Sequence, residues 1–323
     1  ALAPDHVLGI GGAGLTLAGL TPRTPAARAL DLGCGCGIQT LYLLQHCEHV
    51  TATDVSARAL AFTAFNAALA GVGPGRLTLA QGSFLEPVAG QVFDLVATNP
   101  PFVITPASVR EAGLGLMGYR DAGGPVLPVL VPGIAAQLAP GGIAVMLGNW
   151  EHRGGQDWRE HVGAWLCQDV DAWVVEREVQ DPVAYAAMRL RDGGLTPERD
   201  RAGFEAALDA WVGDFEARGV QGVGLGYVVL HRPATGVERP AWRVLEEVTT
   251  RPAGPLGGHL VQVLAAHEVL GAMDDDAVAG LCPRTAPDVT EERHLVPGAT
   301  EPTVILLRQG GGLGRVVRAD TAM

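Results

Sequence analysis

Ala29-Leu30-Asp31-Leu32-Gly33-Cys34-Gly35-Cys36-Gly37 leads an apolar run through three alternate glycines into Ile38-Gln39-Thr40-Leu41-Tyr42-Leu43-Leu44. The spacing predicts a strand, a turn whose backbone passes close to a ligand, and the helix that follows. The next apolar run, Val50-Thr51-Ala52-Thr53, ends in Asp54. A carboxylate at the tip of a second strand is placed to accept both hydroxyls of a ribose, as in dinucleotide-binding folds. A third strand reads over Arg76 to Ala80, and a fourth over Phe93-Asp94-Leu95-Val96-Ala97-Thr98, which runs into Asn99-Pro100-Pro101-Phe102.

That last segment has a chemistry of its own. An amide or nucleobase NH2 has its lone pair delocalised into a π system and attacks a methyl group poorly, so a site that methylates it must aim that lone pair. The Asn99 oxygen and the backbone carbonyl that follows it can accept both N–H bonds, while the Phe102 ring stacks on the planar group. Positioning then supplies most of the catalysis. No strong base is demanded, because the methylated, cationic nitrogen is acidic enough to release its proton to water or a carbonyl. Asn-Pro-Pro alone is also a plausible turn, and glycine-rich turns occur in many nucleotide-binding folds. Together the two halves point to methyl transfer onto a planar nitrogen.

The joint pattern resembles the class I S-adenosylmethionine-dependent methyltransferases, in particular the Asn-Pro-Pro-Phe/Tyr N-methyltransferases that include release-factor glutamine methyltransferases and ribosomal RNA guanine methyltransferases. The resemblance covers roughly the first 230 residues. It implies an α/β fold with a Rossmann-like, mostly parallel sheet of seven strands whose last strand is antiparallel, and S-adenosyl-L-methionine as cofactor. By that resemblance Asp31, Gly33, Cys34, Gly35 and Gly37 line the methionine part of the cofactor, and Asp54, with Val55 beside it, takes the ribose. Asn99, Pro100, Pro101 and Phe102 hold the acceptor, with Asn99 also facing the cofactor. Such enzymes often carry an acidic residue after the third strand, against the adenine amino group; here the sequence is Gly82-Ser83-Phe84, so Ser83 and Phe84 stand in its place.

A nicotinamide or flavin domain needs G-x-G-x-x-G, and after Gly33 and Gly35 the third position is Ile38. The literal match, Gly9, Gly11 and Gly14, has only Val7 and Leu8 before it as strand. Val7 to Leu20 is therefore expected as a loop and short helix over the cofactor side of the first strand.

The chain has 323 residues, 48% hydrophobic and 18% charged, enough for one large core and a smaller appendage. The uncharged run Ala122 to Trp150 is punctuated by Pro125, Pro128, Pro132, Pro140 and Gly141-Gly142, which argues against a membrane span. It reads as a helix over Val129 to Leu138, a turn, and a buried strand over Ile143 to Leu147. Neither a membrane partner nor a secretory leader is expected, and the compartment is expected to be cytoplasmic. Five cysteines argue against a disulfide scaffold, and Cys34-x-Cys36 lacks a second ligand pair, so no metal is expected. His46 and His49 read as the polar end of a helix.

All 23 basic residues are Arg, against 35 acids, for a net charge of −12. Residues 1–150 carry −2 of it and residues 151–323 the other −10. Lysine chemistry is thereby excluded, and no basic nucleic-acid footprint is evident. Arg110 and Arg120, on a glycine-rich loop after Phe102, read as solvated charges.

Further along, Asp157 to Leu166 and Ala202 to Arg218 read as helices, Asp171 to Val175 as a strand, and Gly219 to Leu230 as the closing strand. A boundary is expected near Arg232-Pro233, giving a methyltransferase domain over 1–232, with 1–27 leading into it, and a small α/β extension over 233–323 for substrate or partner recognition. In the extension Leu260 to Gly271 reads as a helix, and the glycines between Leu307 and Val316 as a hairpin tip rather than a phosphate loop. The expected activity is N-methylation with a protein glutamine amide as acceptor, favoured by the acidity of the chain. Two alternatives stay open: a guanine or adenine amino group of RNA or DNA, toward which Phe102 in place of Tyr pulls, and a cofactor-binding protein without turnover. The sequence leaves the oligomeric state open.

Overall fold

A computed structural model describes residues 6–103, 105–106, 109, 125–234, 239–252 and 254–319. The elements run α1 (Gly12–Leu20), β1 (Ala26–Leu32), α2 (Ile38–Leu43), β2 (Cys47–Asp54), α3 (Ala57–Leu69), β3 (Leu77–Gln81), β4 (Phe93–Thr98), α4 (Leu127–Ala136) and β5 (Leu138–Arg153). They continue with α5 (Trp158–Gly163), β6 (Asp171–Gln180), α6 (Pro182–Asp192), α7 (Arg201–Ala217) and β7 (Val220–His231). Beyond the expected boundary come β8 (Arg243–Glu247), α8 (Gly257–Gly271), α9 (Asp275–Ala279), β9 (Thr290–His294), β10 (Val304–Arg308) and β11 (Val316–Ala319).

The main sheet has the order β3-β2-β1-β4-β5-β7-β6-β8. Its pairs are parallel except that β7 runs antiparallel to both β5 and β6. The expected mostly parallel sheet with an antiparallel closing strand is thus present, widened by an eighth strand, β8, from beyond residue 232. The chain builds outward from β1 to β2 and β3, then crosses to the other side for β4. Leu32 lies opposite Thr53 on one side and Thr98 on the other, so β1, β2 and β4 end at one level around the crevice this reversal opens.

Both faces of the sheet are apolar because both are covered. Leu30, Val96, Met146 and Val228 pack against Leu130, Val131 and Ile134 of α4 and Trp158 and Val162 of α5. Their strand neighbours Ala29, Leu95, Val145 and Val229 meet Leu17 and Leu20 of α1, Leu43 of α2, and Leu260 and Leu264 of α8. The helix expected within Val7 to Leu20 is α1, and its Gly14 carbonyl accepts from Gln39 Nε2 at 2.7 Å.

Three readings of the sequence need correction. The strand expected over Ile143 to Leu147 runs from Leu138 to Arg153. Pro140 to Gly142 bends it without ending it, because Gly141 takes φ +79° and the Gly141 N–H and Gly142 carbonyl pair with Arg232. His49 lies in β2, not at a helix end, and its ring bonds the Gly75 carbonyl at 2.8 Å and Thr78 Oγ1 at 3.0 Å. The strand expected to stop at Val175 continues to Gln180 and leads into α6, which Asp181 starts by accepting from the Val183 and Ala184 N–H groups at 2.9 and 3.1 Å. The α6–α7 pair is thus inserted between β6 and β7, where Tyr185, Leu190, Phe204, Trp211 and Phe215 form their own core with Val220 and Val223.

Past residue 232 the chain stays fastened to the sheet at Asp171, 1% exposed at the start of β6. Its carboxylate accepts from Arg239 Nη1 and Nη2 at 2.8 and 2.6 Å, from the Trp242 N–H at 2.8 Å, and lies 3.0 Å from His231 Nδ1. β9, β10 and β11 form a separate antiparallel sheet, in which Arg308 pairs with Val316 across the expected hairpin tip.

Burial alone would raise the Asp171 pKa, but the bonds from His231, Arg239 and Trp242 outweigh it and hold the carboxyl well below the usual range. A depressed folded pKa means stability that is complete above the unfolded value of about 4 and lost as pH falls below it. Asp171→Ala, which strands the Arg239 guanidinium, should cost about 3–5 kcal/mol in urea unfolding at pH 7. The same variant should flatten the fall of stability below pH ~4.

Candidate active site at the ends of β1, β2 and β4

The glycine loop after β1 is shaped by its neighbours. The Gly33 and Cys34 N–H groups both donate to the Thr53 carbonyl, each at 2.9 Å, which ties the loop to the end of β2. Gly33, Gly35 and Gly37 take φ of +75°, +55° and +84°, the left-handed region that only glycine enters cheaply. From α3, Thr63 Oγ1 donates to the Gly35 carbonyl at 3.1 Å and Asn66 Nδ2 to the Cys36 carbonyl at 2.8 Å. A Cβ on Gly37 would stand 2.9 Å from Thr63 Oγ1, whereas one on Gly33 or Gly35 would meet nothing within 4 Å. The third glycine is needed for packing; the first two leave the backbone open to a ligand.

Asp31 sits beneath this loop, 1% exposed, and accepts from the Thr40 N–H at 2.8 Å and Thr40 Oγ1 at 2.5 Å. Burial pushes its carboxyl up to about 6 against those bonds, and the nearby Asp54 charge adds to the rise. It therefore shapes the loop by clamping the start of α2. Cys34 is buried behind the loop, and burial pushes its thiol up, away from thiolate chemistry.

Asp54 spans the loop and the start of α3. Its Oδ2 accepts from the Gly35 N–H at 3.0 Å and its Oδ1 from the Ser56 N–H at 2.8 Å. Each oxygen retains acceptor capacity. Val55 is 69% exposed beside it, and the Gly82 N–H donates to the Asp54 carbonyl at 3.1 Å, bringing Ser83 and Phe84 to the same rim. Phe84 has φ +45°, the one positive φ outside glycine among the described residues, and remains 36% exposed. An aromatic residue held in that region stores strain, which is found at ligand sites more than elsewhere.

On the other side of β1, Thr98 Oγ1 donates to the Leu32 carbonyl at 2.8 Å and fixes the end of β4 to the end of β1. Asn99, next in the chain, is exposed, and its amide has no partner among the described residues. Pro100 is buried, and its carbonyl accepts the Phe102 N–H at 2.8 Å in a tight turn. That bond leaves the carbonyl one free lone pair. Phe102 is half-buried, wedged between the main core and the α6–α7 core. The structure thus groups the glycine loop, Asp54, Val55, Ser83 and Phe84 on one side of the crevice and Asn99 to Phe102 on the other.

Residues absent from the sequence reading also reach this side. Asn149 of β5 donates to Tyr185 Oη at 2.6 Å, and Arg189 lies over the rings of both Tyr185 and Phe102. The Asp181-Pro182 start signal could have revealed α6; nothing local indicated which strand end it would cover. Arg110 and Arg120 lie outside the described residues. Among the described residues no group of three or more His, Cys, Asp or Glu could hold a metal, and no helix is long and apolar enough to cross a membrane.

Residues 11–115 match the family model of the methyltransferase small domain. The chain is 37% identical over 150 residues to a release factor glutamine methyltransferase of Moorella thermoacetica, covering 43% of this chain and 52% of that one. A release factor glutamine methyltransferase of Xylella fastidiosa is 35% identical over 135 residues, covering 38% and 47%. A ribosomal RNA small subunit methyltransferase C of Alcanivorax borkumensis is 37% identical over 75 residues, covering 23% and 22%. The chain spans about half the length of the first two relatives.

Gly37→Ala combines left-handed strain with a clash against Thr63 and should destabilise by about 2–3 kcal/mol. Gly33→Ala meets open space and should cost only about 1 kcal/mol. Thermal unfolding of the two variants side by side checks the difference.

Proposed function

We propose that this protein transfers a methyl group from S-adenosyl-L-methionine to a planar nitrogen, with the side-chain amide of a protein glutamine as the acceptor. The observation that carries the reading is the single level at which β1, β2 and β4 end, which sets a ligand-open glycine loop and Asp54 across the crevice from the exposed Asn99. The match to the methyltransferase small domain, and the glutamine-methylating relatives, support it.

The residues present fit the cofactor. Gly33 and Gly35 leave room for close backbone approach, Asp54 has acceptor capacity for two ribose hydroxyls, and Val55 and Phe84 offer exposed apolar surface for a purine. When bound, the cofactor supplies an electrophilic methyl on a sulfonium. The chain's own part is to orient the acceptor. Asn99 Oδ1 and the free lone pair of the Pro100 carbonyl take the two N–H bonds, and the Phe102 ring holds the amide plane. Two acceptors on the N–H groups leave electron density on the nitrogen and hold it with its lone pair facing the methyl, the gain that orientation delivers here. The methylated nitrogen then sheds its proton to water or to the Pro100 carbonyl. Ser83 and Phe84 take the adenine end, with Ser83 in place of a carboxylate.

A glutamine in a peptide is favoured over a base because the chain carries a net charge of −12 and no lysine, a poor match for a polyanion. The nucleobase reading rests on Phe102 and on the ribosomal RNA relative.

Radiolabelled methyl transfer into an unmethylated cell extract, followed by separate protease and ribonuclease digestion, tests the reading. Protease-sensitive label is expected; ribonuclease-sensitive label would move the acceptor to a nucleobase, and cofactor binding without label would mean no turnover. Asn99→Ala should abolish transfer while changing cofactor affinity less than about twofold. Asp54→Ala should weaken cofactor binding by 10-fold or more, on the order of two lost hydrogen bonds to a charged group.

A further inference from the structure

Arg189 stands in the last turn of α6, with its guanidinium carbon 4.7 Å from the centroid of the Tyr185 ring and 5.9 Å from that of Phe102. Its side chain is only 12% exposed, and among the described residues its ion-pair partner is Asp192, whose Oδ2 lies 3.7 Å away. Its Nε is buried without a hydrogen-bond partner among the described residues. A planar, weakly hydrated guanidinium suits a place over two aromatic faces and beside the Tyr185 hydroxyl, with which it also interacts. Beneath it Tyr185 is 2% exposed and pinned by Asn149 of β5. A contact chain therefore runs from β5 through Tyr185 and Arg189 to the ring that closes the acceptor segment. β5 itself is anchored to β4, with Thr98 opposite Met146.

Resting on the reading of Asn99 to Phe102 as the acceptor clamp, we propose that Arg189 is a positioning residue that sets the plane of the Phe102 ring, so that the inserted α6–α7 pair governs how the acceptor is presented. A purely structural residue would serve as well if it were apolar and of similar length. A positioning residue would not, because a flexible thioether does not hold a ring in one orientation.

The test compares Arg189→Met and Arg189→Lys with the unchanged chain after incorporation of 4-fluorophenylalanine at its seven Phe positions. Phe102→Leu assigns the Phe102 fluorine resonance. Arg189→Met should shift or broaden that resonance alone, leave the melting temperature and cofactor affinity in place, and lower kcat for methyl transfer by about 10- to 100-fold with a smaller change in KM. Arg189→Lys should restore part of kcat by keeping the cation over the rings. An unmoved Phe102 resonance in Arg189→Met, or an unchanged kcat in a protein that transfers methyl, overturns the proposal. Should the unchanged chain transfer no methyl at all, the proposed activity fails, and the fluorine spectrum still decides whether Arg189 holds the ring.

Discussion

The site depends on where the sheet reverses its order. β1 lies between β2 and β4, the chain builds away from it first on one side and then on the other, and the helices after β1 and β4 are carried apart. A crevice at that point follows from connectivity and needs no particular side chain. What side chains add is level ends. The Thr53 carbonyl gathers the glycine loop onto β2, Thr98 Oγ1 ties β4 to the Leu32 carbonyl, and Asp31 clamps the start of α2 from below. These are short bonds between neighbouring strands and from β1 to the start of α2, so they hold the two banks of the crevice in place.

Much of this was legible in the sequence because local rules governed it. The alternate glycines, Asp54 at a strand tip and Asn99 at another are each decided within a few residues, and the structure puts them where strand ends meet. The readings that failed depended on partners far along the chain. Pro140 to Gly142 looks like a turn until Arg232 pairs with it, and His49 looks like a helix end until Gly75 and Thr78 take its ring. Tyr185, Arg189 and Asn149 carry no motif; they enter the site because α6 is inserted between two strands and β5 runs on past the end of β4.

The two banks differ in how they are built. On the bank of the glycine loop and Asp54 the backbone does the shaping, through left-handed glycines, a strained Phe84 and N–H groups given to Asp54. On the bank of Asn99 to Phe102 side chains do it, through the packing of Phe102 between two hydrophobic cores and the stack that Arg189 makes on it. Backbone shape tolerates variation of the intervening residues, which is why cysteines can occupy positions 34 and 36 of the loop. Side-chain shape does not, so the bank built from Asn99 to Phe102 is the one a change of residue reshapes.

β8 lies along the outer side of β6. β6 is ten residues long and carries Trp173, Val174 and Val175 in sequence, a strand that would template pairing with another chain if its outer side were bare. β8 occupies that side with five residues, Arg243-Val244-Leu245-Glu246-Glu247, and ends the sheet in a short, charged segment with Arg315 bonded to Glu246 and Arg159 to Glu247. The segment past residue 232 thus covers the outer side of β6.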